Sequence, residues 1–178
     1  MFKELNKLID NEDNRKTSLV NILKDLSKTV TIYDQMKVSN ELRESLVYIE
    51  GPLRENFFET YAKYFIVRVN DVKNDKNTYA GESFDFDEYV KSIVTLENQY
   101  LENKKTHESS EEFKKIYLII SLYTTFILDE PIHAVGTKFP GNLELIYEDG
   151  IYYCPVKENN KDNPHAVCQF CIAEQLEF

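Results

Sequence analysis

Apolar residues recur at spacings of three and four through most of the first 130 residues, and this periodicity predicts one amphipathic helix after another. We predict about five helices, with apolar stripes over residues 19–36, 40–49, 53–72, 89–101 and 113–127. The last of these segments is apolar most of the way round, so we expect it at the centre of a bundle. Pro131 ends the pattern, because proline cannot continue a helix.

Three of the predicted helices begin at residues suited to a helix start. Asp85 stands three residues before Glu88, and Ser109 stands three residues before Glu112, so each pair can cap the first turn. Gly51-Pro52 breaks the chain before the third helix, where a proline suits the first turn.

The chain changes character after Pro131, where glycines and prolines become frequent. Residues 143–147 and 151–154 are strand-like runs separated by Glu148-Asp149-Gly150, which predicts a β-hairpin. Asn163-Pro164 is typical of the start of a short terminal helix. The predicted fold is therefore mainly α: a helical bundle over residues 1–130, and a hairpin-plus-helix module over residues 131–178 packed on it.

Charge and hydropathy exclude several classes of protein. The formal net charge is −10 and no segment is net basic, so we expect no nucleic-acid partner. The longest apolar stretch, residues 117–128, is far shorter than the roughly 20 residues that span a bilayer, so we expect no membrane span. Acidic residues interrupt residues 1–13, where a secretion signal needs an apolar run, so we expect a cytoplasmic protein.

All three cysteines, Cys154, Cys168 and Cys171, fall within the last 25 residues. Thiolates are preferred zinc ligands, with a sulfur–zinc distance of about 2.3 Å, and the C-x-x-C spacing of Cys168 and Cys171 lets two sulfurs reach one ion. The odd number of cysteines and the expected cytoplasmic compartment argue against disulfides. The sequence therefore predicts a metal site that staples the C-terminal module.

A fourth ligand can come from either of two histidines. His133 would tie the end of the bundle to the hairpin, whereas His165 stands only three residues before Cys168. Three ligands at positions 165, 168 and 171 of one helix would rotate away from one another, which favours His133. Zinc is the leading metal, with an iron–sulfur cluster as the alternative. Two readings without a metal stay open: reduced thiols that pack as small apolar groups, and redox chemistry at Cys168 and Cys171.

Three stretches of this C-terminal region resemble a known family. Ile132-His-Ala-Val-Gly-Thr-Lys-Phe-Pro-Gly141, Tyr152-Tyr-Cys-Pro-Val-Lys157 and residues 163–175 are similar to the C-terminal signature of a methanogen family, the domain of unknown function 2115. The family has a proline where this chain has Ala134 and a second proline near Lys138. The resemblance implies an anaerobic archaeal cytoplasm, which favours iron–sulfur ligation more than the spacing alone does. It implies no activity.

The sequence favours a non-catalytic, metal-stabilised cytosolic protein that acts through an unknown protein partner. No serine–histidine–aspartate or paired-carboxylate arrangement can be identified from spacing. The alternative is a metal- or thiol-dependent enzyme in which His133 and the thiols border a pocket. Whether the protein is an enzyme stays open at this stage, as does its oligomeric state.

Overall fold

The computed structural model describes residues 1–47, 51–106, 109–139, 141, 143–163 and 166–177. Within these ranges, six helices of nine or more residues come first along the chain and a short seventh helix lies near its end. In order they are α1 (Phe2–Asp10), α2 (Lys16–Lys28), α3 (Ile32–Ser45), α4 (Gly51–Asn74), α5 (Phe86–Thr106), α6 (Glu111–Phe126) and α7 (Lys157–Asn160). The protein is therefore mainly helical, as predicted.

The first long stripe of apolar residues is two helices rather than one. The prediction of a single helix over residues 19–36 is wrong, since α2 ends at Lys28 and α3 begins at Ile32. The physical reason is a capping box at Thr31: its hydroxyl accepts a hydrogen bond from the Asp34 N–H, and the Asp34 carboxylate accepts one from the Thr31 N–H. Helix α1 was not predicted.

Two later helix starts follow the predicted capping logic closely. The Asp85 carboxylate accepts a hydrogen bond from the Glu88 N–H at the start of α5. At α6 the cap is Ser110 rather than Ser109, and its hydroxyl accepts a hydrogen bond from the Phe113 N–H. The position of α6 was therefore predicted correctly, whereas its N-cap residue was predicted one position too early.

Helix α6 lies at the centre of the bundle, as its all-round apolar sequence predicts. Every described side chain from Leu118 to Phe126 is buried, and α6 contacts α2, α3, α4 and α5. At its end the Lys16 ammonium, itself buried, donates to the Asp129 carboxylate and to the Ile127 carbonyl. These bonds join the start of α2 to the end of α6.

Among the described residues, five short strands follow the bundle in two small sheets. They are β1 (Lys138–Phe139), β2 (Leu143–Glu144), β3 (Ile146–Glu148), β4 (Ile151–Cys154) and β5 (Glu174–Gln175). The predicted hairpin is present as antiparallel β3–β4, with Glu148 opposite Ile151. Its two-residue loop has φ of 50° at Asp149 and 87° at Gly150, which suits the right-handed twist of the strands.

Two details of the predicted module are wrong. Leu143 and Glu144 do not extend the hairpin, because they pair antiparallel with β1 in a separate sheet. The terminal helix expected after Asn163 is absent from the described residues 166–177, which instead form a turn and strand β5, parallel to β4. Pairing with β4 satisfies backbone groups that a short isolated helix would leave open. The fold is thus mainly α, but it is not all-α, because short strands form two small sheets.

Among the helices whose residues the structure describes, none is both long enough and apolar enough to cross a membrane.

Candidate functional site

The fold brings the three cysteines near one another from two separate segments. Cys154 ends β4, and Cys171 packs against the same small apolar cluster, formed by Phe139, Leu145, Cys154 and Ala173. Cys168 lies in the turn before Cys171, and the charges of both other thiols influence its pKa. All three thiols are free.

Backbone pairing around Cys154 holds the two segments together. Cys154 stands opposite Gln175 in the parallel β4–β5 pair, and the Leu176 N–H donates to the Cys154 carbonyl at 3.0 Å. The Cys171 N–H donates to the Val167 carbonyl at 3.1 Å, which closes the turn carrying Cys168. The positions of the thiols are therefore fixed by main-chain bonds.

The side chain of Lys157 also joins the two segments, and no sequence pattern predicted this role. Its ammonium donates to the carbonyl of Cys171 at 2.7 Å and to the carbonyl of Ala173 at 2.5 Å. Its only sequence signal is its place in the run Tyr152–Lys157, three residues after Cys154. A positive charge thus lies beside the cysteines.

Burial controls the protonation of the thiols. Burial raises the pKa of Cys154, although the nearby backbone N–H groups of Val156 and Lys157 oppose the rise. Burial, followed by the charges of Cys171 and Cys154, raises the pKa of Cys168 to about 11. At neutral pH and without a bound cation both thiols are therefore protonated.

The described residues do not form a finished metal site. No group of three or more His, Cys, Asp or Glu side chains in this part of the chain is placed so that it could hold a metal ion. His165, the substitute fourth ligand, lies outside the described residues. The metal prediction therefore stays a prediction. The donor chemistry fits it, because backbone N–H groups close to a cysteine sulfur, such as those of Val156 and Lys157 near Cys154, can orient and tune a metal thiolate.

His133 lies against the bundle, on the loop that follows α6. It borders a cavity of about 10 Å³, close to the size of one water, with Thr60, Tyr64 and Phe65 of α4. Its ring meets the Phe139 ring edge-on, with the centroids 5.6 Å apart. Since Phe139 belongs to the cluster of Cys154, one aromatic ring links His133 to the thiols. Burial lowers the pKa of His133 to about 4, so the imidazole is neutral at pH 7.

This lowered pKa predicts a pH dependence of stability in metal-free protein. The unfolded chain binds a proton at His133 near pH 6.5, whereas the folded chain resists it down to about pH 4. Stability contributed by the neutral imidazole is therefore complete above pH 6.5 and lost as the pH falls towards 4. We expect the free energy of unfolding to fall by roughly 2–3 kcal/mol across this window.

Urea unfolding of the wild type and of His133→Asn at half-unit pH steps measures this loss. Carboxyls such as Asp34, whose pKa is lowered by a hydrogen bond from the Thr31 N–H, titrate equally in both proteins and cancel in the difference. A difference that stays constant from pH 6.5 to 4 would contradict the neutral state of the half-buried His133.

A cleft separates the bundle from the C-terminal turn next to Cys171. It has a volume of about 390 Å³ and is bordered by the start of α5, the end of α6 and the segment 169–172, with Lys157 at one side. No local sequence pattern predicts this cleft, because its walls come from distant parts of the chain.

Comparisons with known proteins all point to one family of archaeal proteins. A family model described as "Uncharacterized protein conserved in archaea (DUF2115)" matches residues 15–176. A UPF0305 protein of Methanothermobacter thermautotrophicus is 38% identical over 157 residues, which cover 88% of this chain and 94% of the relative. A UPF0305 protein of Methanococcus maripaludis strain C7 is 31% identical over 154 residues, with 86% and 93% covered.

A UPF0305 protein of Methanopyrus kandleri is 29% identical over 133 residues, with 72% of this chain and 84% of the relative covered. No solved structure gives a significant match.

Proposed function

Because this chain belongs to the archaeal DUF2115 family, known among methanogens, we propose a function that rests on its thiols: Cys154, Cys168 and Cys171 bind a structural zinc ion. In this proposal the site staples the C-terminal module, and the protein is a non-catalytic cytoplasmic protein that acts through a protein partner.

The convergence of the three thiols carries the proposal. They are the whole cysteine content of the chain: Cys171 packs against the apolar cluster of Cys154, and Cys168 lies in the turn before Cys171. Reduced thiols that served only as small apolar groups would need no such gathering. The backbone N–H groups of Val156 and Lys157 act to lower the pKa of the Cys154 thiol and would stabilise a thiolate there.

A histidine completes the proposed site, and we assign this role to His165. His133 is surrounded by α4 and Phe139, so moving it to the thiols would remove it from its cavity. His165 stands three residues before Cys168 in the sequence. His133 remains the other candidate ligand, and separate substitutions distinguish the two.

The thiol chemistry supports a closed site over a thiol-dependent enzyme. A nucleophilic cysteine requires a lowered pKa, whereas burial raises the pKa of Cys154 and of Cys168. The other possible enzyme is one with an open metal site. Such a site has three protein ligands and a bound water, whereas the proposed closed site has four protein ligands. An iron–sulfur cluster would use the same cysteines.

The first turn of α3 supports the proposed protein partner. Ile32, Tyr33 and Met36 are 63%, 79% and 58% exposed on neighbouring positions of this helix. Exposed apolar groups gathered on one face are typical of protein–protein contact sites, where tyrosine and methionine are enriched.

Metal analysis of protein purified without oxygen tests the proposal. We expect one zinc per chain in a colourless protein, and X-ray absorption from three sulfurs at about 2.3 Å and one nitrogen at about 2.0 Å. His165→Ala should remove the nitrogen, whereas His133→Ala should retain it. Removal of zinc with a chelator should lower the melting temperature by roughly 10 °C.

Each part of the proposal has its own contrary result. Iron with visible absorbance would replace zinc by an iron–sulfur cluster. Three protein ligands and an exchangeable water would favour the enzyme. A metal-free protein with unchanged melting temperature would overturn the structural role.

A further inference from the structure

Cys171 borders the cleft that separates the bundle from the C-terminal turn. The cleft has a volume of about 390 Å³, which lies in the range of small-molecule sites, and Cys171 is only partly buried. Cys154, at the end of β4, is buried, with 5% of its surface exposed. A small reagent that enters the cleft therefore meets the Cys171 thiol before it meets the Cys154 thiol.

Cys171 also lies against the surroundings of Cys154. It packs on the small apolar cluster that Cys154 forms with Phe139, Leu145 and Ala173. Burial raises the pKa of Cys154, and the charge of Cys171 adds to this rise, because the two thiols are close enough to interact. Cys171 thus stands between the open cleft and the buried thiol of Cys154.

Hydrogen bonds keep the two cysteine segments side by side. The Leu176 N–H donates to the Cys154 carbonyl at 3.0 Å, next to the pairing of Cys154 with Gln175. The Lys157 ammonium, three residues after Cys154, donates to the Cys171 carbonyl at 2.7 Å. Because the two segments are already held together, a reaction between their thiols has the advantage of an intramolecular step.

The turn that carries Cys168 makes this residue the poorer partner for Cys171. The Cys171 N–H donates to the Val167 carbonyl at 3.1 Å, so the segment forms a single helix-like turn. Residues three apart on such a turn have Cβ atoms about 5–6 Å apart. A disulfide requires about 3.5–4.5 Å between its Cβ atoms. Cys154 lies on a separate segment, so this spacing does not restrict it.

We propose that Cys171 is a site of reversible thiol oxidation and that Cys154 is its resolving cysteine. The Cys171 thiolate attacks one sulfur of a small organic disulfide in the cleft, which forms a mixed disulfide and releases half of the reagent as a thiol. The Cys154 thiolate then attacks the Cys171 sulfur, which forms the Cys154–Cys171 bond and releases the other half as a thiol. The two protein thiols are oxidised, and their protons and electrons leave with the two released thiols. Disulfides in reducing compartments are usually transient and redox-sensing, and an accessible first thiol suits that use.

The inference goes beyond the proposed zinc site and does not require it. Zinc bound to the same sulfurs would block both steps, so the metal and the disulfide exclude each other. We expect zinc-loaded protein to react about tenfold more slowly than metal-free protein. Equal rates would contradict the zinc ligands alone, because the formation of the disulfide is measured on metal-free protein.

Reaction of the metal-free full chain with bis(2-hydroxyethyl) disulfide tests the inference. We expect an adduct at Cys171 to appear first, and the three free thiols to fall to one when two of them form the bond. Peptide mapping without reduction should find the peptides of Cys154 and Cys171 joined, and dithiothreitol should restore all three thiols. A first adduct at another cysteine, a bond between Cys168 and Cys171, or three unreacted thiols would overturn the inference.

Three serine variants separate the roles of the thiols. Cys154→Ser should stop at the adduct on Cys171, because the resolving thiol is missing. Cys171→Ser should lose free thiols about tenfold more slowly than the wild type, since neither of the other two described thiols borders the cleft. Cys168→Ser is the matched control on the same turn, and it should form the Cys154–Cys171 bond at the wild-type rate. A disulfide formed at the wild-type rate in Cys171→Ser, or none in folded Cys168→Ser, would refute the assignment.

Discussion

Replacing Cys154 by serine is expected to lower the melting temperature of the zinc-loaded chain by roughly 10 °C and to release the metal. Serine has nearly the shape of cysteine but lacks the thiolate that zinc prefers. Cys154 also supplies the only thiol from β4, so its loss would leave both remaining sulfurs on one turn. Thermal unfolding and zinc content, measured on the same samples, give the result.

The control is the same pair of proteins after chelation. Without metal, the substitution only places a hydroxyl among Phe139, Leu145 and Ala173, and we expect a cost of about 1–2 kcal/mol. Equal losses of stability with and without zinc would show that Cys154 acts by packing, as a small apolar residue.

Replacing Phe170 by alanine is expected to destabilise the protein by about 3–5 kcal/mol and to detach the C-terminal turn from the bundle. Phe170 is 6% exposed, stacks on Phe126 of α6 and belongs to the same core as the helices. Two hydrogen bonds support the same contact: Gln99 donates to the Ala166 carbonyl, and Thr95 donates to the Gln169 amide oxygen. These bonds alone cannot replace the buried ring.

Urea unfolding measures the loss of stability, and limited proteolysis reports its location. We expect the variant to be cut within residues 155–172 before helices α1 to α6 are cut. Ile172→Ala is the matched control, because Ile172 is 38% exposed and should change stability by less than about 1 kcal/mol. Unchanged stability of Phe170→Ala would mean that the module is held to the bundle by other contacts.

Local sequence signals predicted most of the helical part, and one boundary shows their limit. Val30, Tyr33 and Met36 continue the apolar spacing of α2, so periodicity alone merges α2 with α3. In the structure the capping box at Thr31 starts a new helix, and Tyr33 and Met36 are exposed. A local hydrogen-bonded cap therefore outweighs an apolar pattern that no neighbouring element covers.

The arrangement of the last forty or so residues depends on contacts that the sequence does not show. Strand β5 has two residues and pairs in parallel with β4, a pairing set by tertiary packing rather than by propensity. The uneven placement of the cysteines indicated only that Cys171 and Cys154 would lie in the same small module. The position of His133 could not, because it depends on how the loop after α6 packs on α4.

Strand β5 has a further consequence for how the chain reaches this fold. The β3–β4 hairpin closes through a two-residue loop and can form within microseconds, whereas the β4–β5 pairing must bring distant residues together. Until that happens, β4 presents an open edge, and such edges pair with other chains. Glu174 and Gln175 thus act as a protective cover, and a nascent or partly unfolded molecule that lacks this cover is exposed to aggregation through Ile151–Cys154.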